Sequence, residues 1–271
     1  MSSILKRFSR SIRDGSLPFR ICNRFSKIKW APVSEPNTNE IIARQYPGDG
    51  WKKLSMGARS AWNRFHQAFE GRNIRTVVWV GGYEGRGALD FSEAFPGMEF
   101  YLLEPAGETF KILQRNIALH SNMHAFNLAA GATEGEGEMF LDNFPPANSL
   151  LPHDPRAAED CPFMGERGRE KVLIKPLDQL LAERKVGAVD FLIVDTQGYE
   201  KEVFLGGPKA LQSAKLVMVE MNLKALYVGS ALFDSVYQHM RKAGFTLRHI
   251  PYTHKNTFNE IIHMDALFCR D

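Results

Sequence analysis

Cysteine is scarce in this 271-residue chain. Cys22, Cys161 and Cys269 are odd in number and far apart, which argues against a disulfide framework or a cysteine zinc site and makes a reducing compartment, the cytoplasm, the natural setting. No apolar run approaches the roughly 18–20 residues of a membrane span. There is no internal repeat and no His/Asp/Cys spacing that commits to a metal, so a divalent cation is left open rather than indicated. The dinucleotide fingerprint G-x-G-x-x-G is also missing. Tyr83 and Arg86 stand where its second and third glycines belong, and this disfavours a nicotinamide oxidoreductase.

Hydrophobic residues make up 44 % of the chain, enough for one sizeable α/β domain with an extension. The net charge of +3 is unevenly placed. Residues 1–30 hold eight Lys and Arg against Asp14 alone, a local +7 that leaves −4 for the remainder. Apolar residues such as Ile4, Leu5, Phe8 and Ile12 interleave with these charges, so the arm is amphipathic. Contact with the anionic inner face of a membrane, with an acidic partner, or a transit function would each suit it, as would a solvated arm or a subunit contact in a homo-oligomer. Nucleic-acid binding is not expected, because the rest of the chain is acidic and carries no reader motif.

"APVSEPNTNE" (31–40) and "QYPGDG" (45–50) read as linker. Leu54, Ala58, Ala61, Trp62, Phe65 and Phe69 fall at helical spacing. Residues 1–70 are therefore expected to form a basic extension and linker helix, and 71–271 the main domain. There, strand-like runs (76–80, 99–104, 123–129, 135–143, 171–177, 189–195, 215–221) alternate with helical patterns, including one opened by Gly198 and Tyr199 that runs to about Ser213 and one over 231–243. "FTLRHI" and "IIHMDALFCR" close the pattern as a hairpin. Alternating β and α with fully apolar strands predicts a doubly wound, mainly parallel sheet with a C-terminal antiparallel hairpin and a helical N-terminal extension.

In such a sheet, ligands sit beyond the carboxyl ends of the strands. The first strand ends in "GGYEG" (Gly81, Gly82, Tyr83, Glu84, Gly85), where glycine admits positive φ and close approach of backbone to a ligand. The second ends at Glu104, about 20 residues beyond the glycines, where an acid can accept both hydroxyls of a ribose. The third ends near Asn127, placed to meet an adenine edge or to cap a turn. The fourth ends in "DTQGYE" with Asp195 and Gln197 at the rim, and the fifth in Glu220 and Asn222.

The glycine turn, Glu104-Pro105, "NLA" (Asn127 to Ala129), "NSL" (148–150), "PLDQLL" (176–181), "VDFLIVDTQGYEKEVFLGG" (189–207), "VMVEMN" (217–222) and "KAGFTL" (242–247) appear in an order that resembles FkbM-type methyltransferases. The resemblance covers roughly residues 74–250. It implies a class I, Rossmann-like fold and S-adenosylmethionine-dependent O-methylation, often of sugars, glycans or glycosylated metabolites. It also implies that Gly81, Gly82, Tyr83, Glu84, Gly85, Glu104, Pro105, Asn127, Ala129, Asp195 and Gln197 bind the cofactor. Three positions depart from the usual pattern: Trp79 and Tyr83 replace an Asp and an Asn, and Gln197 replaces a Glu. These departures keep a second reading in view, a catalytically silent Rossmann-like module that binds a ligand or partner.

A sugar hydroxyl is a poor nucleophile at neutral pH and needs a base or a metal. Asp195 is the first candidate for base or ligand, with Glu220 and Glu200 behind it. His120, His124 and His249 read as core or surface histidines. His254 and Lys255 are expected on an exposed loop, 251–260, that could face an acceptor.

Overall fold

The computed structural model describes residues 54–270. The basic arm lies outside them, and with it the expectation of lipid contact. Ser55 Oγ accepts the amide of Ala58 at 3.1 Å and caps helix α1, Met56–Phe69. Its buried face is Ala58, Ala61, Trp62, Phe65 and Phe69, the set read from the spacing. Phe65 packs on Phe91 with ring centroids 4.8 Å apart, and Phe69 on Phe95 at 4.5 Å. Both also touch Phe191 in the sheet. Each such ring contributes roughly 1.5–3 kcal/mol on burial, so the aromatic cluster is what holds α1 down.

Strand β1 (Thr76–Val80) leads through the glycine turn to α2 (Arg86–Ala94), β2 (Glu99–Leu103), α3 (Gly107–Ile117) and β3 (Met123–Phe126). The 123–129 run, expected as one strand, divides here. Asn127 turns the chain by donating Nδ2 to the carbonyl oxygens of Glu104 and Pro105, at 3.0 and 2.9 Å, and Ala129–Ala130 form a separate short strand, β4. Then come β5 (Gly135–Asp142), β6 (Glu166–Lys175), α4 (Leu177–Glu183) and β7 (Phe191–Val194). The helix expected up to Ser213 is two, α5 (Glu200–Gly206) and α6 (Pro208–Ser213), because Pro208 cannot supply the amide that continues a helix. Strand β8 (Leu216–Asn222), α7 (Phe233–Lys242), β9 (Phe245–Lys255) and β10 (Ile261–Arg270) complete the described chain.

Seven strands form one sheet in the order β3-β2-β1-β7-β8-β10-β9. All neighbours are parallel except β10, which runs antiparallel to both β8 and β9. Every residue of β7 and β8 is buried, as parallel strands covered on both faces require. β4, β6 and β5 make a separate three-stranded sheet, with β4 parallel and β5 antiparallel to β6. β9 extends past the expected "FTLRHI", so His254 and Lys255 lie on a strand and not on a loop.

Candidate active site

Gly81 has φ +84°, and a Cβ there would fall 1.8 Å from the carbonyl oxygen of Asp195. Glycine is required because the ends of β1 and β7 touch, and this contact brings Asp195 beside the glycine turn. The amides of Gly81 and Gly82 both donate to the carbonyl of Leu103, at 3.0 and 2.8 Å. That of Tyr83 donates to Glu104 Oε2 at 3.0 Å. The turn is thereby fastened to the end of β2. Trp79 sits at the usual Asp position, but its ring packs edge-on against Phe91 under α2.

The strand ends surround a cavity of about 430 Å³, within the range of small-ligand sites. Gly81, Tyr83, Glu104, Pro105, Ala129, Asp195, Gln197 and Glu220 all line it. Gly82, Glu84, Gly85 and Asn127 do not. Glu84 pairs with Arg86 at 2.7 Å, Gly85 begins α2, and Asn127 is spent on the turn after Glu104.

Glu104 is 6 % exposed. One oxygen accepts from Tyr83 N and the other from Ala106 N at 2.9 Å, which leaves one lone pair on each. Burial outweighs these bonds and pushes its carboxyl up to about 7. A buried acid with spare acceptor capacity, at the end of β2 and open to the cavity, fits a ribose diol. S-adenosylmethionine is therefore compatible with the residues present.

Beyond Asp195 the chain turns through Gln197, at φ +55°, a conformation costly for a residue with a Cβ and common at functional sites. Glu200 holds this turn. Its Oε1 accepts from the amides of Thr196 and Gly198 and from the Thr196 hydroxyl, at 3.0–3.1 Å. Glu200 is thus a buried turn anchor, and burial raises it to about 7. Gln197 Oε1 lies 2.9 Å from the Tyr227 hydroxyl, and its Nε2 points at two carboxyl groups, Asp195 and Glu220. Burial raises Asp195 and lifts Glu220 well above the usual carboxylate range, with Asp195 and Glu200 adding like charge around Glu220.

The far wall was not read from the sequence. Asp265 and His263 line the cavity from β10, opposite Glu220 and Asn222 in register. Burial pushes Asp265 up to about 8. The available signal was two polar residues at i and i+2 in a strand that is otherwise apolar from Ile261 to Cys269, which places them on one face. Segment 144–165 forms the mouth. Asp142, fully buried, accepts the amides of Phe144 and Gly165 and so ties both ends of that segment. The exposed rings of Phe144 and Phe163 meet edge to face at 5.4 Å on its rim. Among the described residues no group of three or more His, Cys, Asp or Glu side chains is arranged to hold a metal ion.

The strand order, the antiparallel strand next to the edge and the ligand cavity at the carboxyl ends define a class I methyltransferase domain. Residues 80–247 match the family model described as methyltransferase FkbM domain, and the chain belongs to that family. No curated protein sequence matches it. Among solved structures it is similar to the N-terminal domain of EvdMO1 with SAH bound, at 12 % identity and TM-score 0.45, over 83 % of this chain and 85 % of that one. It is also similar to precorrin-6y C5,15-methyltransferase from Geobacter metallireducens, at 9 % identity and TM-score 0.40, over 81 % and 92 %. For Aeropyrum pernix fibrillarin in complex with S-adenosyl-L-methionine the identity is 11 % and the TM-score 0.42, over 71 % and 66 %.

Proposed function

We propose that this methyltransferase transfers a methyl group to a hydroxyl of a sugar, glycan or glycosylated metabolite. The observation that carries the reading is the meeting of Glu104, Asp195 and Glu220 on one cavity. The first is suited to a ribose, the other two to a reacting hydroxyl. When bound, S-adenosylmethionine supplies a sulfonium methyl group that an in-line nucleophile displaces. Glu104 would hold the ribose, with Gly81, Tyr83, Pro105 and Ala129 around it. Asp195 and Glu220 would form the acidic wall that faces the reacting hydroxyl and offsets the positive charge left as its proton departs.

The acceptor side favours an uncharged molecule with an apolar face. Glu104, Asp160, Asp195, Glu220 and Asp265 line the cavity against Lys255 as the one Lys or Arg among the lining residues. Phe144 and Phe163 offer exposed rings at its mouth, against which the C–H face of a pyranose can lie. Residues 1–30 would add salt-sensitive contact with an anionic membrane surface, to be tested by vesicle flotation with and without the arm.

The test of the central reading is calorimetry with S-adenosylmethionine, S-adenosylhomocysteine and NAD. Binding of the first two and not of NAD is expected. Failure of both to bind overturns the reading. Binding without transfer to any of a panel of glycosides favours the silent ligand-binding module.

A further inference from the structure

β10 brings to the cavity an imidazole that cofactor binding does not use. His263 lines the cavity with its side chain 16 % exposed. Its Nδ1 lies 2.7 Å from Oε1 of Glu220, in an approach off the line of an ideal hydrogen bond. Its ring lies flat on that of His254, with centroids 4.2 Å apart and planes 2° from parallel, and the two residues face each other across the β9–β10 register. The imidazole plane is thus fixed from two sides. Among the described residues no protein group bonds to Nε2, the other ring nitrogen.

The proton on this ring can be placed from its neighbours. Gln197 has two carboxyl groups on one side of its amide and the Tyr227 hydroxyl on the other, so Nε2 of Gln197 donates to Glu220 Oε1 at 3.1 Å. Oε1 is therefore an acceptor as a carboxylate oxygen, and remains one in the neutral acid when the proton sits on Oε2, which has no bonded partner among the described residues. At 2.7 Å two such atoms repel unless one of them carries a proton on the side of the other. With Oε1 accepting, that proton belongs to Nδ1 of His263, and Nε2 keeps its lone pair.

We propose that Nε2 of His263 is the atom that takes the proton of the acceptor hydroxyl, with Glu220 and His254 as positioning residues. The inference rests on the methyl-transfer reading above. In the step, the acceptor O–H bond breaks as Nε2–H forms. The oxygen electron pair makes the new O–CH3 bond, the S–CH3 electron pair stays on sulfur, and the proton later leaves the imidazolium for solvent. Asp195 at the end of β7, Glu220 on β8 and Asp265 on β10 face the charge that develops on the ring, and His254 covers it from β9. Burial holds His263 below the ordinary histidine value against the pull of Asp195, so the ring is a free base at neutral pH.

The test is long-range proton–nitrogen NMR of full-length protein labelled in its histidines, with S-adenosylhomocysteine bound, at pH 7.5. His263 is assigned by its loss in His263→Gln. The expected tautomer carries the proton on Nδ1. Glu220→Leu should shift the population toward Nε2–H, and Glu220→Gln, whose amide oxygen can still accept, should restore it. With S-adenosylmethionine and uncharged glycosides, His263→Gln should lower kcat ~10²–10⁴-fold and leave S-adenosylhomocysteine affinity within about twofold. Nε2–H in the parent protein overturns the proposal even where no glycoside is turned over. So does undiminished kcat in His263→Gln. Failure of S-adenosylhomocysteine to bind the parent protein instead removes the methyl-transfer reading and leaves the tautomer measurable without ligand.

Discussion

Nε2 of Gln197 lies 2.8 Å from Oδ1 of Asp195 and 3.1 Å from Oε1 of Glu220, so one neutral amide holds two carboxyl groups together. The amide relieves a repulsion that would otherwise set these groups apart. It also fixes Glu220 against His263.

Replacing that amide by a carboxylate should reverse both effects. Gln197→Glu loses two donors and adds a third acid, at a cost of roughly 1–3 kcal/mol. For a domain of this size that is about 2–4 °C in melting temperature for each kcal/mol. Mn²⁺ should recover stability more in the variant than in the parent, because the variant adds a carboxylate between those of Asp195 and Glu220. A melting temperature unchanged by the substitution would show that the amide is not bridging.

Gly81→Ala should be among the most damaging single changes in the turn. Its φ of +84° and the 1.8 Å approach to the Asp195 carbonyl leave no room for a methyl group. A loss of roughly 3–5 kcal/mol is expected. At Gly82 the atom nearest an added Cβ would be Leu102 Cβ at 3.2 Å, so Gly82→Ala should cost less. Thermal melts of the two variants give the comparison, and equal losses would count against the strand-end contact.

Glu104→Ala should weaken S-adenosylhomocysteine binding by roughly 10- to 150-fold, the equivalent of about 1.5–3 kcal/mol of charge-assisted hydrogen bonding. Calorimetry measures this directly. Affinity equal to that of the parent would remove Glu104 from the ribose site.

Asp195→Asn keeps the shape and the acceptor for Gln197 while removing a desolvated charge. Turnover should fall ~10²-fold or more, with the melting temperature held or raised. A marked loss of melting temperature without ligand would make Asp195 a structural residue.

The acidic cavity also sets the pH dependence of stability. Glu104 and Glu200 titrate near 7 and Asp265 near 8 in the folded protein, all above their unfolded values. Between those values the folded state binds more protons than the unfolded one, so stability falls as pH rises. His239, His254 and His263 are held below their ordinary value and act in the opposite sense, but only below about 6.5. The net expectation is a melting temperature that declines from about pH 6.5 to 8.5 without ligand. A rise across that window would mean that these acids are ionised in the fold.

The parallel core was legible because β7 and β8 are unbroken apolar runs bounded by polar strand ends. Glu104 and Asp195 were legible for the same reason: a strand that ends in an acid beside a turn leaves few places for it. The split after Phe126 was not, since it depends on Asn127 reaching back to two carbonyls supplied by residues 22 and 23 positions earlier. Nor was the role of His263, whose partner Glu220 stands 43 positions away and is met only through antiparallel pairing. Local spacing found the residues that one strand end presents, and missed those that a long-range register delivers.

The placement of β10 between β8 and β9 has a consequence for how the molecule is made. β9 is an edge strand whose only neighbour among the described residues is β10, so within them it has nothing to pair with until residues 261–270 are available. During synthesis β1 to β8 can assemble as they emerge, whereas β9 must wait, an unsatisfied strand open to wrong partners. The wall bearing His263 and Asp265 arrives in the same event. A ribosome-bound chain that has exposed everything up to Lys255 would therefore carry the ribose side of the cleft and lack its proton-accepting side, and the site would become complete only when the final strand slides into the gap.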